Sequence, residues 1–365
     1  MSPEAETTTA RGGTESARRG GVAVQLVSRH TLTLALVLVA VAFALAKPDT
    51  FGTLDNLKSI LSNQVTIVFL AFAATLPLIV GQFDLSVGAV FTVVQVLVTG
   101  LVVEHGWSPV AAIPLMLVAG GLIGLVNGVA VAKLGLNSFV TTLAVGSVMS
   151  GAALAYTNGT SVYGSAPRSF TSLARDAVWG VPLPFVYAVV VGLGLWLMLS
   201  RFPTGRRLYA IGANPRAAER TGIPTDRYVI GAFVASGLLA GVGGVLLGAR
   251  LGAATSDSGS RLLIPAFAGA FLGTTAFSPG RFNIPGTFVA VYLVGVAVAG
   301  LQQFGVALWV EPVFEGLMLL AALGLAAWLG RLRGRLARLA RLQELERRAA
   351  ESLDRPSLSD PQTAP

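Results

Sequence analysis

This chain of 365 residues is 53% hydrophobic and only 12% charged, whereas soluble domains carry about a quarter charged residues; it reads as an all-α polytopic membrane protein. Its 26 Lys and Arg against 18 Asp and Glu follow from the positive-inside bias of such proteins, so the basic balance is no argument for nucleic acid. With no cysteine and two histidines, His30 and His105, the chain lacks material for a disulfide, a thiolate metal site or a histidine metal cluster.

Residues 1–29 are rich in Thr, Gly, Arg and Glu and have no apolar period, as in a disordered tail. The leader before the apolar run 31–46 is long for a signal peptide and a lysine follows it, so the run reads as an uncleaved first span. A bilayer core needs about 20 apolar residues per helix. On that measure spans are expected near 31–47, 60–80, 84–103, 110–132, 137–156, 182–200, 228–249, 263–277, 284–301 and 311–330. These ten, two of them short, form a membrane domain over 30–330.

The third span opens with Gly81-Gln-Phe-Asp-Leu-Ser-Val-Gly88, which puts Gln82 and Asp84 in an apolar stretch. An intramembrane carboxylate is a functional candidate, but Asp84 also suits an N-cap for the helix after it. Gly120, Gly124 and Gly128 on the fourth span recur every four residues, as do Gly237 and Gly241 on the seventh. Such spacing lets helix backbones approach closely in lipid. The run Gly241–Gly248 follows no strand, so it is not a nucleotide loop. Asn158-Gly159-Thr160 reads as a turn in an outer connection.

Between the sixth and seventh spans lies a long polar stretch, 201–227, with six arginines. Within it Asn214-Pro215 reads as an N-cap with proline at the first helical position, and Thr221-Gly222 as the stop. A short helix parallel to the membrane, presenting Ala217 and Ala218, would suit a groove on a partner. Further on, Gly273–Gly286 interrupts the apolar pattern as a broken helix does. Leucines at helical spacing among arginines make 331–353 a basic amphipathic helix for the anionic inner leaflet or for a partner. The Pro/Ser/Asp-rich 354–365 reads as a second disordered tail.

With the N-terminus inside, twenty of the 26 Lys and Arg fall inside and six outside, which supports an N-in, C-in arrangement. No Gly-x-x-x-x-Gly-Lys-Ser/Thr occurs, and none of Lys47, Lys58 and Lys133 follows a glycine. The chain is therefore no P-loop ATPase by itself, and any ATP would be bound by a partner. No Ser/His/Asp or His/Glu constellation suggests an enzyme, and no cofactor or metal is expected.

Five segments, in order, resemble the ribose-type ABC permeases: Gly81–Gly88, Val126–Lys133, Tyr156–Gly159, Gly205–Asn214 and Ala217–Ile223. The resemblance covers about 30–330. That family comprises membrane subunits of monosaccharide importers, with relatives for xylose, arabinose, galactose and autoinducer-2. It implies ten spans in a bacterial plasma membrane and two permease subunits, alike or different, around one path. It also implies two ATP-binding subunits inside and an extracytoplasmic substrate-binding protein outside. The inner stretch is then similar to a coupling helix, with Asn214, Arg216, Ala217, Ala218 and Gly222 at the ATPase contact. Arg261–Pro265 and Leu272–Thr275 depart from the family's eighth-span pattern. A path for a small polar substrate would use weak polar groups, for which Gln82, Asp84, Asn127, Asn137 and Thr141 are the candidates; Asn127 and Asn137 equally suit interhelical hydrogen bonds. Other readings stay open: a permease of the same fold for branched-chain amino acids or nucleosides, and a secondary transporter or channel working without ATP.

Overall fold

The computed structural model describes residues 30–325, 327, 328 and 331. The expected tails over 1–29 and 354–365, and the amphipathic helix over 331–353 apart from Arg331, lie outside the described residues. Helices dominate the rest. In order they are α1 (His30–Ala46), α2 (Leu54–Asn63), α3 (Val65–Ile79), α4 (Val87–Val103), α5 (Pro109–Ala132), α6 (Ser138–Thr157), α7 (Arg168–Arg175) and α8 (Leu183–Arg201). There follow α9 (Pro203–Ala213), α10 (Pro215–Arg220), α11 (Thr225–Leu251), α12 (Ser258–Leu272) and α13 (Ile284–Gln303), and then α14 over 310–325.

Among the described residues, six helices are long and apolar enough to cross a membrane: the continuous α2–α3 rod Leu54–Ile79, α5, α6, α8, α11 and α13. The apolar helices α1 and α4 are shorter. The chain is thus a multi-pass membrane protein. Two expectations are corrected. The stretch 201–227 is not a loop around one short helix but a pair of helices, because Pro203 starts α9 at its first turn as Pro215 starts α10. The eighth apolar run stops at Leu272, where a 3-10 turn, Gly273–Thr275, takes over.

Composition alone does not say which apolar helices lie inside. In α3 every residue but Ile67 is buried, as befits a helix apolar on all sides at the centre of a bundle. The apolar α5, α6 and α8 leave most of their residues unburied, so they lie at the outside of the bundle. The hub is α11, which packs chiefly on α5, α3 and α4. Glycines make this possible. A Cβ on Gly120 would sit 2.8 Å from the carbonyl oxygen of Gly237, one on Gly124 would collide with the Phe233 carbonyl, and one on Gly128 would sit 2.8 Å from Ile230 Cα. Gly241 abuts Leu117 and Val94, and Gly244 meets the Phe91 backbone of α4. Where lipid supplies no hydrophobic force between helices, such close approach supplies dispersion contact.

At the end away from α9 and α10, short strands tie the connections. β1 (Val162–Tyr163) pairs antiparallel with β4 (Ala253–Ala254). β2 (Ala177–Val178) and β3 (Val181–Pro182) form a hairpin. Its two-residue loop, Trp179-Gly180, has φ of 50° and 80°, the positive pair that matches strand twist. Asn158 ends α6 in the same left-handed region.

Candidate functional site

Two polar regions interrupt the apolar bundle. The first is the break between α3 and α4. Gly81, at φ 79°, ends α3 by sending its N–H to the Leu78 carbonyl (3.1 Å), and the Gln82 N–H returns to the Pro77 carbonyl (2.9 Å). This paired closure satisfies carbonyls that the helix end leaves free, and it asks for a left-handed residue, hence glycine. The extended residues beyond would leave amides unpaired at membrane depth, which is tolerated only where protein or water satisfies them.

Side chains of α6 and Asp84 itself meet these amides, and side chains of α5 and α11 extend the network. Ser138 Oγ and Thr142 Oγ1 on α6 accept from the N–H groups of Phe83 (3.1 Å) and Leu85 (3.0 Å). Asp84 is 1% exposed. Its Oδ1 accepts from the Ser86 N–H (3.1 Å) and hydroxyl (2.6 Å), and its Oδ2 from Ser236 Oγ on α11 (2.9 Å). Asn127 Nδ2 on α5 then donates to Ser86 Oγ (2.7 Å). Asp84 therefore orders the turn that leads into α4 and clasps α11. The cap position of α4 is Ser86, whose side chain makes no capping bond.

The five path candidates thus scatter. Asp84 and Asn127 are fully buried and meet through Ser86. Gln82 and Thr141 are half-buried. Asn137 is exposed and caps α6, accepting from the Val140 N–H (3.2 Å). Ser86, Ser138, Thr142 and Ser236 complete the arrangement and were not singled out by sequence, where a serine or threonine in an apolar helix carries no signal of its own.

The second region is the α9–α10 pair. Asn214 Oδ1 caps α10 by accepting from the Ala217 N–H (3.0 Å). At the other end Gly222, φ 80°, donates its N–H to the Glu219 carbonyl (2.9 Å), and the Ile223 N–H goes to the Ala218 carbonyl (3.2 Å). That is the closure used at Gly81. Arg216 and Ala217 are exposed, whereas Ala218 is 5% exposed and turned into the core; of the two alanines expected on the surface, only Ala217 is there. Thr225 Oγ1 donates to Glu219 Oε1 (3.0 Å), fixing α10 to the start of α11. In α9, Tyr209 donates to the Phe282 carbonyl (2.8 Å). Burial pushes the Tyr209 phenol up, opposed by the Arg281 cation.

Gly222 also lines an 840 Å³ cleft with Lys133, Glu219, Asp226, Arg227 and Ile230. At the opposite end of the bundle a 470 Å³ cavity is lined by Asn63, Gln64, Arg250, Asp257, Arg261 and Glu311 among others. There Arg250 Nη1 donates to Asn63 Oδ1 (2.8 Å). Arg261 donates to Asp257 through Nε (2.8 Å) and Nη2 (2.6 Å), which holds that carboxyl below its usual range. In the sequence Arg250 carried no signal beyond its charge, and Arg261 only marked a departure from the family's eighth-span pattern. Among the described residues no cluster of His, Asp and Glu could hold a metal ion.

A family model described as branched-chain amino acid transport system / permease component matches residues 56–323. The ribose import permease protein of Bacillus subtilis is 33% identical over 291 residues, 79% of this chain and 89% of that protein. The D-allose transport system permease protein of Escherichia coli is 30% identical over 80% of this chain and 89% of its own length. The autoinducer 2 import system permease protein of Yersinia enterocolitica is 31% identical over 71% of this chain and 80% of its own length. No solved structure matches the chain.

Proposed function

The chain belongs to the family of branched-chain amino acid transport system permease components, and on that premise we propose that it is the membrane-spanning permease of an ABC importer for a monosaccharide. The observation that carries this reading is the near full-length similarity to ribose and allose permeases. The chain is a transport subunit rather than an enzyme. An ABC ATP-binding subunit on the cytoplasmic side supplies the energy, an extracytoplasmic binding protein delivers the sugar, and a second permease subunit completes the path. No cofactor is held by this chain. The membrane is a bacterial plasma membrane, crossed ten times with both termini inside. The tails, the domain over 30–330 and the basic helix over 331–353 have the roles their composition suggests.

ATP binding draws the ATPase subunits together, the α9–α10 pairs move with them, and the path switches sides. Asn214, Arg216, Ala217, Ala218 and Gly222 form the receiving element: Arg216 and Ala217 touch the ATPase, while Asn214, Ala218 and Gly222 shape and seat α10. Gln82, Asp84, Asn127, Asn137 and Thr141 belong to the inner end of the path, where Asp84 and Asn127 hold its wall in register. Glycines 120, 124, 128, 237 and 241 keep the hub packed while the assembly moves.

In proteoliposomes holding the permease with its ATPase and binding protein, ATP-dependent uptake of labelled ribose or allose is expected. Arg216→Glu with Ala217→Glu should abolish uptake and sugar-stimulated ATP hydrolysis while the permease still folds. Unchanged coupling in that variant would overturn the docking assignment, and ion-driven transport by the permease alone would overturn the ABC reading. The family description and the autoinducer 2 relative favour branched-chain amino acids or autoinducer-2 as the second reading. Competition by those solutes in the same assay separates it from the first.

A further inference from the structure

A 660 Å³ cavity opens where the end of α8 meets α9 and the segment leading into α13. Its lining includes Arg206, Arg281, Tyr209 and Ser278. Among the described residues, neither arginine is in an ion pair and no carboxylate lines the cavity. Arg281 stacks 5.9 Å from the Tyr209 ring centre, which points its guanidinium along the wall. The result is a concave site with two positive charges and the Ser278 hydroxyl on its wall, a set that suits a phosphate ester.

The cavity does not stop at the polar wall. Trp196, Ile284 and Pro285 also line a 250 Å³ groove that runs between α8 and α13, floored by Phe72, Gly192 and Phe288. Among the described residues no charged side chain lines this groove. Gly192 opens it, since a Cβ there would sit 3.1 Å from Phe72 Cζ. Trp196 is 38% exposed and lies about a turn before Arg201, at the level where aromatic side chains sit between headgroups and acyl chains. Phe277, at φ 55°, holds a bulky residue in a backbone region that such residues avoid and closes the far wall against His30 (ring centres 5.7 Å apart).

We propose that this composite site binds one anionic phospholipid of the cytoplasmic leaflet, with its phosphate between Arg206 and Arg281 and an acyl chain in the α8–α13 groove. Assignment to the cytoplasmic leaflet rests on the N-in arrangement of the permease reading. A soluble partner could meet the basic cavity, but it would not reach an apolar groove lying between two membrane helices. The tail over 1–29 carries four arginines and three glutamates, so charge gives it no reason to seek two more cations. A juxtamembrane basic residue attracts anionic lipid by about 1 kcal/mol, enough for a pair to select headgroup charge.

Native mass spectrometry of the purified full-length chain, incubated with phosphatidylglycerol or phosphatidylcholine in mild detergent, tests this. The wild type should retain one phosphatidylglycerol and lose phosphatidylcholine. Arg206→Ala with Arg281→Ala should weaken retention roughly 30-fold. Val189→Trp, a change at a lipid-exposed groove residue, should remove the lipid with both arginines in place. Millimolar glycerol phosphate, which has the charge but no chain, should not displace it. Equal retention of both lipids, unchanged retention in either variant, or displacement by glycerol phosphate would each overturn the proposal. A disulfide between copies through Val189→Cys would also overturn it, by placing a second permease in the groove. Because the chain has no cysteine, Ser278→Cys reports the side directly: labelling from outside by an impermeant maleimide would refute the N-in arrangement and the leaflet, while phosphatidylglycerol retention would still report the site.

Discussion

Gly81 and Gly222 end their helices in the same six-residue closure, with positive φ and the same pair of backbone bonds. The surroundings of the two closures differ. Beyond Gly81 the chain stays inside, and its amides, carboxylate and hydroxyls are met by Ser138, Thr142, Asn127 and Ser236 from α6, α5 and α11. Beyond Gly222 the chain turns straight into α11, and α10 is held by its own cap, by Ala218 and by Thr225. One local motif therefore serves a fixed joint and an exposed handle. Solvent decides which: unpaired polar backbone is costly in an apolar bundle and nearly free at a wet surface.

The sharpest way to break the contrast is at Asp84. Asp84→Ala strands two hydroxyls and an amide in a buried site, and at about 1–3 kcal/mol per orphaned group the loss should be at least roughly 3 kcal/mol. Thermal unfolding of the purified permease should show it as a large fall in Tm with a poorer folded yield. A mild effect would mean that water replaces the carboxylate and that the joint is wetter than its burial suggests.

Thr142→Ala comes next, at about 1–2 kcal/mol, because it frees the Leu85 N–H. Ser138→Ala should cost less, since Phe83 is 40% exposed whereas Leu85 is half-buried. Finding the two equal by denaturant unfolding would argue against the exposure gradient along the break.

The matched pair Gly81→Ala and Gly222→Ala should be the most instructive of the smaller effects. Each carries the same left-handed penalty of about 1 kcal/mol, and neither new methyl group meets an atom closer than 3.8 Å. At the fixed joint the penalty should appear in Tm. At the handle, fraying of α10 can absorb it, so Tm should hold while ATPase coupling in the assembled transporter falls. Equal Tm shifts would mean that α10 unfolds only together with the bundle.

Much of this architecture was legible in residue order. Apolar run lengths marked where helices lie, and Asn214-Pro215 with Gly222 bracketed α10. The glycines spaced by four announced close packing, though not which glycine faces which. The α9 helix was missed because Gly205 and Gly212 weaken its local propensity. Its stability comes from burial of Leu208 and Ile211 and from Gly212 lying against the Ile79 carbonyl, contacts made across the fold.

Composition and periodicity by themselves determined that the chain lives in a membrane, runs as apolar helices and places a basic element between its sixth and seventh apolar runs. Those properties are local, since they depend on how each segment partitions between water, lipid and helix. Only the tertiary structure decided that α3 is interior while α5, α6 and α8 face outward. It also turned Asp84 toward Ser236, and joined Arg206, Arg281 and an apolar groove into one site. Hydropathy treats lipid and protein interior as nearly the same solvent, so the choice between them falls to packing and hydrogen bonds among residues far apart in the chain.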